Sequence, residues 1–236
     1  MKLPIIFLRM RRKSLIISLI SIFAALHVIL GAIPGIWRSW AILIQPLEGV
    51  ILGPYGGFMA ALIGSVLSRF VRPRTVVMFV FGLGEPLGAL IAGLTFKEKY
   101  GLVTTFYTVL LAAYFLHPLG RSLPAWCLWD VYIAYLLAVV LFFLKRAGYD
   151  LDEGIRLIAS AVLGNEADVL TRIFFFIPLE LYRVLGISES ALPAIWLAGA
   201  FETPVELFLT VLVITIGGVP LLAAIDRSRT IEYPVT

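Results

Sequence analysis

Charge is what this sequence has least of. Only 14% of its 236 residues are Asp, Glu, Lys or Arg, against roughly a quarter in a soluble domain. A water-soluble fold of this length needs more polar surface than that, so the deficit excludes a soluble globular enzyme. Cysteine is almost missing: Cys127 stands alone, so no disulfide can form within the chain. No G-x-x-x-x-G-K-[ST], H-E-x-x-H, G-x-S-x-G or paired-cysteine spacing occurs. P-loop ATP hydrolysis is therefore excluded for this chain, and the motifs assign neither a catalytic residue nor a metal ligand. No cofactor is expected, and the chain is not read as an enzyme. The net charge of +4 is spread over segment ends instead of forming a patch, which argues for membrane topology and against nucleic-acid binding.

What the chain has in abundance is apolar sequence, 61% of all residues. A spanning helix needs about 20 mostly apolar residues. Ser14 to Pro34 supplies one, preceded by Arg9, Arg11, Arg12 and Lys13. It is too long for a signal core and no A-x-A site follows it, so retention is expected. Further apolar stretches run over 41–53, 55–70, 76–96, 102–119, 128–144, 157–186 and 193–225. The expected fold is all-α: a single polytopic membrane bundle over 1–236, with 6–8 transmembrane segments and short tails at 1–13 and 226–236. Gly53-Pro54-Tyr55-Gly56-Gly57 is a tight turn between two spans or a break within one. Counting 41–53 as a separate span puts most Lys and Arg on one side, which predicts a plasma-membrane protein with both termini cytoplasmic. Trp37, Trp40, Trp126 and Trp129 fit an aromatic belt.

Small residues encode close helix packing, because lipid gives helices no hydrophobic reason to associate. Gly53, Gly57, Ala61, Gly64 and Ser68 lie near one face, and Gly84, Gly88 and Ala92 recur every four residues. Both sets read as internal packing. Ser18, Ser21 and Ala25 on the first helix serve either internal packing or a partner helix.

Ionisable residues within spans are costly and mark cavities or partners. Here they recur beside prolines, at Glu48, Glu85, Glu180, Glu202 and Glu206. Proline frees a backbone carbonyl, and a carboxylate near freed backbone groups builds a polar site at depth. Glu180, followed by Tyr182 and Arg183, reads as interfacial; Glu48 and Glu85 fit either a site or a span end. In Gly164-Asn165-Glu166-Ala167-Asp168, Asn165, Asp168 and Arg172 share a helix face, and Asp168 and Arg172 have ion-pair spacing. Glu166 points elsewhere and needs its own partner. Glu202 and Glu206, also four apart, would repel unless one is protonated or a cation intervenes. His27 reads as a hydrogen-bonded packing residue and His117 as interfacial. Cys127 reads as inert.

Three stretches give the chain a family likeness. Ala24-Ala25-Leu26-His27-Val28-Ile29-Leu30 leads to Ile44-Gln45-Pro46-Leu47-Glu48-Gly49 and Leu52-Gly53-Pro54-Tyr55-Gly56-Gly57. Gly164-Asn165-Glu166-Ala167-Asp168 is the second, and Pro204-Val205-Glu206-Leu207 with Gly218-Val219-Pro220-Leu221-Leu222 the third. Together they resemble the substrate-binding S component of energy-coupling factor (ECF) transporters, in particular an archaeal branch. The resemblance implies a protein that captures a micronutrient and docks on a transmembrane coupling subunit carrying two ABC ATPases. It implies docking through small residues four apart on the first helix, here Ser21 and Ala25. The family has six spans, fewer than the eight counted here, and no signature for riboflavin, thiamin, biotin, nickel or cobalt is present.

On this reading Glu48, Glu85, Asn165, Asp168 and Glu206 contact a polar or cationic solute, and Arg172 orients Asp168 or meets a ligand carboxylate. Two other classes compete. A self-contained secondary transporter or channel would use Glu202 and Glu206 as a proton or cation relay. A lipid-modifying membrane enzyme would rest on the buried carboxylates and His117 alone.

Overall fold

The computed structural model describes residues 5–35, 38–73 and 76–228, with side chains from Ser14 to Arg227 except that of Val77. The described residues are 85% helical and form no strand, an all-α bundle. Helix α1 (Ile5–Ala32) leads through a 3-10 turn (Trp40–Leu43) to α2 (Gln45–Leu52), α3 (Pro54–Val71), α4 (Val76–Phe81) and α5 (Gly84–Phe96). Then come α6 (Tyr100–Leu116), α7 (Pro118–Ser122), α8 (Trp129–Arg146) and α9 (Glu153–Phe176). The described residues close with α10 (Leu181–Val184), α11 (Leu192–Val213), a π turn (Ile214–Gly218) and α12 (Val219–Ser228). Four helical stretches are long and apolar enough to cross a membrane: Ser14–Ala32, Met78–Phe96, Ala125–Arg146 and Glu189–Arg227.

Punctuation follows the prolines and glycines. Pro46, Pro54, Pro118 and Pro193 open α2, α3, α7 and α11, where the missing N–H costs nothing. Gly53 breaks α2 from α3 with a φ of 82°, a conformation that favours glycine. Pro204 sits inside α11 and cannot donate to the carbonyl of Ala200. The Trp129 indole donates to that carbonyl at 3.0 Å, so the freed group is satisfied from α8.

The segment 41–53 is not a span. Its 3-10 turn and α2 together reach only about 20 Å, short of the ~30 Å hydrocarbon core. All eight residues of α2 are buried, and the helix lies among α3, α5 and α9. The sidedness expected above counted this segment as a crossing, and that step falls away. The chain needs an internal half-helix here because Gln45 and Glu48 have to reach the bundle interior.

The small residues bring the central helices together. The most extensively packed pair is α5 with α9. A methyl on Gly164 would sit 2.8 Å from Ala92 Cβ, and one on Gly88 would sit 2.6 Å from the Gly164 carbonyl. A Cβ on Gly64 would lie 2.5 Å from His27 Cβ, which fixes α1 against α3. Both glycine series therefore pack internally, as their spacing predicts. On α1, Ser18, Ser21 and Ala25 lie instead on the exposed face.

Candidate functional site

The bundle interior holds a continuous lattice of charged groups in two halves. In the first, α1 delivers His27 between two carboxylates. Its Nδ1 lies 2.9 Å from Glu48 Oε1, and its Nε2 lies 3.0 Å from Glu85 Oε2. An ionised carboxylate only accepts, so either the ring donates from both nitrogens or one carboxyl keeps the proton. Either way the three groups carry one net negative charge. Ser65 donates to Glu85 Oε2 at 2.6 Å, and Arg69 Nη2 stands 3.5 Å from Glu85 Oε1, supplying the balancing charge.

The second half centres on Arg38, which is 3% exposed. Its Nη1 donates to Asp168 Oδ2 at 2.7 Å, and its Nε donates to Glu206. Its backbone N–H reaches Glu206 Oε1 at 3.0 Å, and Nη2 lies 3.4 Å from Asn165 Oδ1. Arg172 closes on Asp168 with two bonds, Nε to Oδ1 at 2.7 Å and Nη2 to Oδ2 at 2.9 Å. Its Nη2 also stands 3.6 Å from Glu85 Oε1, which joins the two halves. Arg38 and Arg172 thus balance Asp168 and Glu206.

Two buried carboxyls remain outside this balance. Glu166 is fully buried on α9, and among the described residues neither of its oxygens has a hydrogen-bond partner. Asp130, at the start of α8, accepts from the Val131 N–H at 2.9 Å and from the Thr203 hydroxyl. Among the described residues neither has a cation within ion-pair distance.

Beside the lattice lies a cavity of about 120 Å³. Its polar lining comes from Arg38, Asp130, Arg172 and Thr203, and the rest is apolar, with Phe176 and Trp196 among its aromatic members. Trp196 is held rigidly: it stacks on Tyr114 and Phe176 at centroid separations of 6.3 and 6.0 Å, and its indole donates to Tyr114 Oη at 3.0 Å. Trp196, Gly199 and Thr203 all line the cavity at i, i+3, i+7 spacing, so one face of α11 forms that wall.

The six residues expected to contact a solute, Glu48, Glu85, Asn165, Asp168, Arg172 and Glu206, are all drawn into the lattice. Only Arg172 reaches the cavity wall; the other five face His27, Ser65 or the arginines. The Asp168–Arg172 pair forms as its spacing predicts. Glu206 finds its counter-charge in Arg38, a partner the pairing with Glu202 did not foresee. Glu180 lies half-exposed, 3.2 Å from Arg183, in keeping with an interfacial place. His117 stands 3.5 Å from Glu180.

Sequence reasoning missed Arg38, Ser65, Asp130 and Thr203, and gave His27 too small a part. Arg38 lies between the apolar stretches, among Trp37 and Trp40 in the sequence, where a basic residue carries no signal of burial. The available signal was arithmetic: eight carboxyls lie within the apolar stretches against three arginines, Arg69, Arg172 and Arg183. No known family model matches the chain, and no curated protein or solved structure is significantly similar to it.

Proposed function

We propose that the chain is a multi-pass protein of the cell membrane that binds a small solute as the S component of an ECF-type importer. Membrane embedding is supported by the four long apolar stretches and by large apolar side chains that face outward. Ile17, Ile29, Leu116, Phe143, Phe201 and Phe208 are each at least 60% exposed, a surface unsuited to water. The observation that carries solute binding is the cavity: a small, mainly apolar space with a few convergent polar groups, walled by helices that a charge lattice holds in place. Arg172 is its direct contact, while Asp168, Glu206 and Asn165 position the two arginines. The exposed small face of α1, with Ser21 and Ala25, leaves room for a coupling subunit's helix.

Co-expression with an ECF coupling subunit and its two ATPases should yield a complex that imports solute into vesicles only with ATP. Uptake by the chain alone, driven by an ion gradient, would overturn this reading in favour of a secondary transporter.

A further inference from the structure

The cavity described above carries more information than its volume, because the charged groups on its wall are unequal. Arg38 is the more fully engaged of the two arginines: its Nε, both Nη atoms and its backbone N–H each hold a partner among Glu206, Asp168 and Asn165. Arg172 is different. Its Nε and Nη2 are engaged with Asp168, but Nη1 makes no hydrogen bond to a described residue. Asp130 is the converse: a carboxylate on the same wall, 4% exposed, steadied by the Thr203 hydroxyl and one backbone N–H, with no ion-paired cation among the described residues. A buried carboxylate of this kind is costly until a positive group joins it. The wall therefore presents one unmet acceptor, one unmet guanidinium edge and otherwise apolar contact.

Resting on the solute-binding reading, we infer that the cavity takes a compact zwitterion with an apolar side chain, of the α-amino-acid class. Its ammonium meets Asp130 and Thr203, and its carboxylate meets Arg172 Nη1. Its apolar part lies against Trp196 and Phe176. A simple organic cation leaves Arg172 Nη1 unused, and a simple organic acid leaves Asp130 unbalanced. The cavity's volume of about 120 Å³ is of the order of the ~150 Å³ that binds benzene, so the solute is compact. Valine, leucine and proline are compact, apolar members of that class.

Gly199 provides a clean way to test occupancy. It lines the cavity, and a Cβ there meets nothing within 4 Å. Gly199→Leu therefore fills the space without disturbing the lattice.

The test is equilibrium binding to the purified full chain in detergent, with L-valine, L-leucine and L-proline as probes. Isoamylamine and 4-methylpentanoate serve as the two single-charge counterparts of leucine. At least one amino acid should bind, and for leucine each single-charge counterpart should bind about 10- to 100-fold more weakly, the effect of one lost charge-assisted contact. Asp130→Asn should weaken amino-acid binding and spare 4-methylpentanoate; Arg172→Gln should weaken it and spare isoamylamine. Gly199→Leu should abolish binding while leaving the thermal unfolding temperature unchanged. If isoamylamine binds as tightly as leucine, the site is one for organic cations and the inference fails. If 4-methylpentanoate does, it is one for organic acids, and the inference fails equally. If none of the three amino acids binds, the inference also fails. The solute-binding reading then stands if the ATPase-coupled complex still imports some solute that Gly199→Leu blocks, and falls with it if nothing is imported.

Discussion

Replacing Arg38 with methionine keeps the apolar stem and removes the guanidinium, and the contacts of that group show where the damage goes. Asp168 loses one donor but retains both bonds from Arg172. Glu206 loses its ion pair with the guanidinium and keeps the backbone N–H of residue 38. The perturbation therefore takes a counter-charge from a carboxylate that is only 2% exposed. Breaking one partner out of a buried pair costs about 3–5 kcal/mol, a factor of roughly 10² to several times 10³ in the folding equilibrium. Glu206→Gln in the Arg38→Met background should recover about 1–3 kcal/mol, because the carboxylate that lost its guanidinium is gone. Reversible unfolding of the purified protein in mixed micelles, run as a double-mutant cycle, measures both quantities. A single mutant within about 1 kcal/mol of wild type, or strictly additive losses in the cycle, would refute the assignment of Arg38 as the lattice's centre.

Other perturbations test other joints. His27→Leu should destabilise by several kcal/mol, and His27→Gln by about 1–3 kcal/mol less, since an amide still donates to one of Glu48 and Glu85; equal losses in the same unfolding assay would deny the bridging role. Gly88→Ala should cost about 1–3 kcal/mol through clashes with the Gln45 amide and the Gly164 carbonyl, while Gly217→Ala, in open space, should be neutral or slightly stabilising. At one end of the bundle Lys145 Nζ reaches both Glu98 and Asp150 at 2.6 Å. The Lys145 hydrogen bond holds the Asp150 carboxyl below its ordinary value. Its contribution is therefore present above the unfolded carboxyl's range and is lost as pH falls through the lowered folded value. A melting-temperature profile of Asp150→Asn should converge on that of the wild type in acid and lie below it at neutral pH.

Most of the architecture was legible because lipid-scale helices leave a coarse signal. Long apolar runs, prolines at helix starts and glycines every four residues each have one cheap physical explanation, and in α3, α5 and α11 that explanation holds. The segment 41–53 misled because hydropathy cannot separate a helix facing lipid from one enclosed by other helices; both read as apolar. The telling residues there were Gln45 and Glu48, too polar for a lipid face and too close together for two separate span ends. Within the site, contacts along a single helix were readable, as with Asp168 and Arg172, since 3.6 residues per turn fixes which side chains meet. Contacts between helices were not. Arg38 meets Glu206 across 168 positions and Asp168 across 130, and no local pattern encodes such a distance. What the sequence does carry is a constraint on totals. Carboxyls placed where water cannot reach must be matched by cations, protons or a ligand, and that requirement calls for buried arginines without saying which ones. The same requirement gives the cavity its meaning. Once Arg38, Arg69, Arg172 and the His27 proton have been assigned, Asp130 and Glu166 are left over. Glu166 does not reach the cavity wall, whereas Asp130 lies where a solute can meet it. An unbalanced charge that is reachable is a binding determinant, and one that is not is a structural cost, so position relative to the cavity separates the two carboxyls that sequence alone treats alike.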